Sequence, residues 1–156
     1  MDTLIKYLTT HKLTISVAES CTGGLLSNYL SNTVGSSVFF KGGIIAYSRA
    51  VKTKLLDIPT EMEVVSSKCA VLMNVGLEKI FNTDICVSVT GNLPPFEDTR
   101  DIGEVYFSIS YLAIDYGFMV PITHMERSVA KQVITLKIIE KIYKTIHPAP
   151  FLFEYL

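Results

Sequence analysis

Several things are scarce in this chain, and each scarcity narrows what it can do. Charge of one sign is not in excess: 14 Lys and Arg stand against 15 Asp and Glu, a net charge of −1, with no run of like charge. A surface that neutralises nucleic-acid phosphates needs a basic surplus, so nucleic acid is not an expected partner. Cysteine is limited to Cys21, Cys69 and Cys86. That odd count at wide spacing makes no disulfide framework, and with three scattered histidines it makes no zinc pattern. Free cysteines fit a reducing, cytoplasmic compartment. No stretch approaches the ~18 apolar residues of a membrane span. The opening "MDTLIKYLTTHK" sets apolar residues at helical spacing and lacks the unbroken apolar core of a signal peptide. Internal repeats, low-complexity segments and linkers are absent as well.

What is present is material for a core. The chain has 156 residues, 49% apolar and 19% charged, the profile of a single domain over 1–156. Periodicity predicts a helix over 1–11 with Leu4, Tyr7 and Leu8 on one face, a β-branched strand over 13–19, and a helix over 23–32 with Leu25, Leu26, Tyr29 and Leu30 in a stripe. After a loop at 34–37, the segment 38–48 ends in a second strand following a break at Gly42-Gly43. A short helix over 49–59 stops at Pro59. Ser66 caps a helix running to 82 with Ala70, Met73, Leu77 and Ile80 at helical intervals, and a third strand spans 84–91. The loop 92–102 is rich in turn residues. Residues 103–126 read as an antiparallel pair turning near Asp115 to Gly117. A long amphipathic helix over 127–146 carries Val129, Val133, Leu136, Ile139 and Ile142, followed by an apolar tail ending "FLFEYL". The order predicts an α/β fold: a three-layer α/β/α sandwich with a mixed sheet of about five strands. Ligands in such sheets sit beyond the carboxyl ends of the strands, where the loops 19–24, 47–54 and 90–102 would meet.

Two of those loops carry side chains suited to chemistry. In "SVAESCTGG", 16–24, a strand ending at Glu19 runs into a helix starting near Thr22. The turn offers free backbone N–H groups and two glycines that admit a ligand. It reads either as a capped helix start, with Ser20 a possible cap, or as a nucleophile at an anion-binding turn. In "AYSRAVK", 46–52, Tyr47 ends a strand and Lys52 follows five residues on. A serine needs a base to become nucleophilic, and a lysine serves if burial or a neighbouring cation strips its proton near neutral pH. A tyrosine hydroxyl can relay that proton. The alternative is a core Tyr beside a solvated Lys. Glu19 is expected to need donors from backbone N–H groups or a cation. Cys21 is a weaker nucleophile candidate because no histidine stands beside it. Thr90 and Gly91 end the third strand at the same cleft, and Arg127 or Arg100 could reach a phosphate.

The blocks "AESCTGGLLSNYL" and "GSSVFFKGGIIAYSRAVKTKLL" resemble the C-terminal domain of the competence-damage-inducible CinA family, most closely from about Thr14 to Leu56. Stand-alone versions of that domain are nicotinamide mononucleotide deamidases. The resemblance implies hydrolysis of the substrate carboxamide to nicotinic acid mononucleotide and ammonia, with Ser20 acting alongside Tyr47 and Lys52. It puts the turn of Thr22, Gly23 and Gly24 at the substrate, and Glu19, Cys21, Thr90, Gly91 and Arg127 are expected to bind it with them. It implies no metal and no organic cofactor, a small nucleotide as ligand, no membrane partner, and a homo-oligomer, commonly a dimer. The chain departs from the family beyond the third strand. The family has T-G-I-A-G-P, a glycine-rich run and K-P-V-G; here the stretch is "TGNLPPFEDTRDIG", keeping Thr90, Gly91 and Gly103. Ser66-Ser67 stands for S-E, and "MER" stands for Gly-Asp-Arg before the last helix. That altered loop motivates a rival expectation: a non-catalytic nucleotide-binding or interaction module.

Overall fold

The computed structural model describes residues 2–96 and 101–147. Arg100 and the apolar tail from 148 onward lie outside them. Five helices and five strands follow in the order α1 (Asp2–His11), β1 (Ile15–Glu19), α2 (Leu25–Ser31), β2 (Phe40–Ile45), α3 (Arg49–Leu56), α4 (Ser67–Phe81), β3 (Ile85–Gly91), β4 (Ile102–Tyr111), β5 (Ile114–Thr123) and α5 (Arg127–Ile146). One turn of 3₁₀ helix, Ser36–Val38, precedes β2. The strands form one sheet in the order β2-β1-β3-β4-β5. β1 pairs in parallel with β2 and β3, while β3-β4 and β4-β5 are antiparallel. The chain thus has the mixed five-stranded α/β architecture expected from its element order.

Alternation along the strands decides which helix covers which face. Ile15 and Val17 of β1, with Ile85, Val87 and Val89 of β3 and Val105, Phe107 and Ile109 of β4, meet α1, α2 and α5 in one cluster. Ala18 and Cys86 face the other way, onto α3 and α4 through Leu56, Cys69, Met73 and Leu77. β1 is covered on both sides, and all five of its residues are buried.

Some local expectations are corrected. β2 does not begin after Gly42-Gly43 but runs through it. A Cβ at Gly42 (φ +142°) would meet the Phe81 ring of α4 at 2.7 Å, and one at Gly43 would meet Ser27 Oγ of α2 at 2.7 Å. The pair lets helices approach the strand closely on both faces, which a side chain would prevent. The β4-β5 turn lies at Leu112-Ala113, both with positive φ of 53° and 59°, and not at Asp115–Gly117, which are paired within the ladder. A two-residue hairpin turn needs left-handed backbone; here residues without that preference supply it. In α5 the buried set is Ala130, Ile134, Thr135, Ile138, Ile139, Ile142 and Ile146, so the stripe is rotated and Val129 and Leu136 are exposed. Ile80 of α4 is likewise exposed.

Candidate active site

The carboxyl ends of β1 and β3 and the turn after β2 open into one cleft of about 390 Å³. Ser20 and Cys21 follow β1, Tyr47 follows β2, Lys52 comes from α3, Thr90 and Gly91 end β3, and Arg127 opens α5; all line it. Its cations are Arg49, Lys52 and Arg127, and no carboxylate stands among the described residues lining it. In a chain of net charge −1, that local imbalance favours an anionic ligand.

Lys52 sits at the centre. Ser48 Oγ caps α3 by accepting from the Val51 amide at 3.2 Å. One turn in, the Lys52 side chain turns inward and is only 2% exposed. Its Nζ lies 2.8 Å from Ser20 Oγ, 2.7 Å from the Ala46 carbonyl oxygen and 3.3 Å from that of Tyr47. Beyond its bond to Cε, the nitrogen has three directions, and these partners take all three. An ammonium donates to all of them. A neutral amine donates to the two carbonyls and turns its lone pair on the serine O–H. Burial pulls the Lys52 pKa below its ordinary value, and the Arg49 guanidinium adds a smaller push in the same direction. Buried, hydrogen-bonded and depressed in proton affinity, the amine is placed to act as a base.

Glu19 does a different job from a ligand-binding one. Its side chain is fully buried. One carboxylate oxygen accepts from Thr22 Oγ1 (2.7 Å) and from the Gly24 and Leu26 amides (both 3.0 Å); the other accepts from the Ser27 amide (2.7 Å) and Ser27 Oγ (2.6 Å). Gly24, at the start of α2, offers no side-chain cap, and Glu19 replaces it from the strand. The Gly23 amide donates to the Ser20 carbonyl at 3.1 Å. The turn is therefore an anion site already filled by the protein's own carboxylate. This corrects the expectation of free N–H groups for a ligand at Gly23 and Gly24. Thr22, Gly23 and Gly24 line a separate groove of about 360 Å³ with Ser128 and Lys131, away from Ser20.

Tyr47 and Cys21 also differ from expectation. The Tyr47 phenol is largely exposed and accepts from Arg127 Nη2 at 3.3 Å, so the arrangement is not a proton relay to Ser20. It is the Tyr47 carbonyl that meets Lys52. Burial pushes the Cys21 thiol up to about 12, which keeps it protonated and poor as a nucleophile. Thr90 Oγ1 donates to the Val64 carbonyl at 2.6 Å and Arg127 Nη1 to those of Leu93 (2.9 Å) and Pro94 (3.1 Å). Arg49, Val64, Val65, Asn92, Leu93, Pro95 and Phe96 complete the cleft. Arg49 comes from the 47–54 loop and Asn92, Leu93, Pro95 and Phe96 from the 90–102 loop expected at the cleft, while the Val64-Val65 wall carried no sequence signal.

Comparison with known proteins places this chain in a family. The model of the CinA C-terminal domain matches residues 1–144. The "Protein MG115 homolog" of Mycoplasma pneumoniae is 35% identical over 140 residues, covering 86% of this chain and 89% of that protein. A "CinA-like protein" of Dictyoglomus turgidum is 45% identical over 114 residues, 69% of this chain but 28% of the relative; the chain spans less than a third of such relatives. The solved competence damage-inducible protein A of Klebsiella pneumoniae superposes with a TM-score of 0.84 at 21% identity, over 94% of this chain and 98% of that one. At that identity the likeness is one of fold.

Proposed function

The chain belongs to the CinA C-terminal domain family, and from that premise we propose that it is an amidohydrolase that deamidates nicotinamide mononucleotide, with Ser20 as nucleophile and Lys52 as base. The observation that carries the reading is the buried 2.8 Å contact between Lys52 Nζ and Ser20 Oγ.

In this reading the neutral Lys52 amine takes the Ser20 proton as Oγ bonds to the carboxamide carbon, and the carbonyl oxygen becomes an oxyanion. With the Gly23, Gly24, Leu26 and Ser27 amides engaged, the amide of Cys21, which lines the cleft, is the donor of the turn left to receive it. One such donor is worth roughly 3 kcal/mol. Collapse breaks the C–N bond, and the Lys52 ammonium returns its proton to the leaving nitrogen, which departs as ammonia. Water then attacks the acyl-serine, gives a proton to Lys52, and Ser20 Oγ leaves with that proton. The products are nicotinic acid mononucleotide and free enzyme. Arg127 on the rim suits the substrate phosphate, and Tyr47 orients it. A homo-oligomer fits the family reading.

Ser20→Ala is expected to abolish ammonia release from nicotinamide mononucleotide while the circular dichroism spectrum stays native. Undiminished release in that variant removes the nucleophile assignment. The sequence departures across 92–102 favour one second reading, a nucleotide-binding module without turnover. Calorimetric binding of the nucleotide with no ammonia release by the parent protein supports it, and turnover removes it.

A further inference from the structure

Two arginines hold the walls of the cleft in the same manner. Each is the first residue of a helix: Arg49 opens α3 and Arg127 opens α5. Each sends one Nη1 to two main-chain carbonyls of a facing loop. Arg127 grips Leu93 and Pro94; Arg49 grips Thr60 at 2.7 Å and Met62 at 2.6 Å. Thr60 and Met62 belong to the segment between α3 and α4, whose Val64 and Val65 line the cleft. That segment is pinned again where Thr90 Oγ1 meets the Val64 carbonyl.

We propose that Arg49 is a positioning residue of the cleft: its guanidinium fastens the 59–65 wall to the helix that bears Lys52 and holds a permanent positive charge on that side. The inference rests on reading Lys52 as the base. Among the described residues the groups that face Lys52 are few, and Tyr47, whose carbonyl meets Nζ, lines the cleft beside them. The turn after β1 brings the Ser20 hydroxyl and the Cys21 thiol; α4 brings the Cys69 thiol; α3 itself brings Arg49; Arg127 of α5 lines the same cleft. Glu19 is directed at α2. Burial raises both thiols, so they remain neutral near pH 7. Arg49 cannot lose its proton. It stands one turn before Lys52 on α3 and lines the same cleft, so its exposed, fixed charge adds a smaller push to the one burial gives against the ammonium.

Two variants separate charge from tether. Arg49→Gln removes the charge. Arg49→Lys keeps it, but lysine ends one atom short of Nη1 and cannot sit at both carbonyls in the same way. The readouts are the ¹³Cε shift of Lys52 in lysine-labelled protein against pH, and the pH profile of kcat/KM for ammonia release from nicotinamide mononucleotide. In Arg49→Gln the Lys52 midpoint is expected at higher pH, with the acid limb of the profile moving in step. In Arg49→Lys the midpoint stays with the parent while KM rises severalfold. A natively folded Arg49→Gln with an unmoved Lys52 midpoint overturns the charge role, and an Arg49→Lys with unchanged KM overturns the tether. If the parent protein releases no ammonia, the deamidase reading fails, and the shift titration still decides whether Arg49 acts on Lys52.

Discussion

Removing the Glu19 carboxylate is expected to cost the fold more than any other single change at the turn. In Glu19→Ala the five donors that converge on it lose their acceptor. Three of them, the Gly24 and Ser27 amides and Ser27 Oγ, are only partly buried and can be rehydrated. The Leu26 amide and Thr22 Oγ1 are fully buried. A buried polar group left without a partner costs about 1–3 kcal/mol, so these two together cost about 2–6 kcal/mol. Total stabilities run to about 5–15 kcal/mol, which makes this a large fraction. For a domain of this size 1 kcal/mol is worth about 2–4 °C, giving a fall in Tm of about 4–24 °C. Urea unfolding followed by circular dichroism measures it, with the slope compared between variant and parent to show that the same surface is exposed. Glu19→Gln belongs between the two, because one oxygen survives and Ser27 Oγ can turn to accept from the new amide. A Glu19→Ala protein within about 0.5 kcal/mol of the parent, the usual effect of a surface change, would refute the account of the turn.

Other expectations follow from the cleft. Lys52→Arg should not restore ammonia release to the protein, because an arginine keeps its proton near neutral pH; activity close to the parent's would remove Lys52 as base. The Lys52 pKa is lowered in the folded state, so the folded chain binds its proton less readily than the unfolded chain. Its ammonium therefore penalises folding below the lowered value, and the penalty is relieved as pH rises through that value toward the ordinary 10.5. Relative to the parent, Lys52→Met is expected to look best at low pH and to lose ground as pH rises, which urea titrations at several pH values would read; the opposite trend contradicts it. In the parent, kcat/KM should climb along the same acid limb as the amine deprotonates. Cys21→Ala should retain activity within a few-fold, and iodoacetamide should spare native Cys21 at pH 8, since burial pushes its thiol up to about 12; inactivation in either experiment would make that thiol part of the chemistry.

The sequence is readable where local pattern decides. The cap at Ser66, a β-branched run at 15–19 and a twenty-residue helix at the end follow from side chains a few positions apart. So does the meeting of the 20, 47–52 and 90–91 segments, because parallel strands deliver their carboxyl ends to one edge. Glu19 is read as needing backbone donors and finds them close by at Gly24, Leu26 and Ser27; only its placing at the substrate is corrected. What is not readable depends on partners far along the chain. Gly42-Gly43 looks like a break until Phe81 and Ser27 are seen pressing from both faces. Leu112 and Ala113 carry no turn signature, and the ladder on either side imposes their left-handed backbone. Tyr47 places its carbonyl, not its phenol, on Lys52, a choice between main chain and side chain that spacing does not encode.

The hairpin between β4 and β5 offers a seam. Leu112 stands 73% exposed at its tip, and the strands on either side are joined through an unbroken register from Ile102–Thr123 to Tyr111–Ile114. A chain severed there yields one fragment with Ser20 and Lys52 and another with Arg127, neither holding the whole cleft. The edges each fragment exposes are complementary, and exposed loop tips tolerate such cuts. Mixed together, the two pieces would reassemble through that ladder, so activity would report on fragment complementation and return only when both halves are docked.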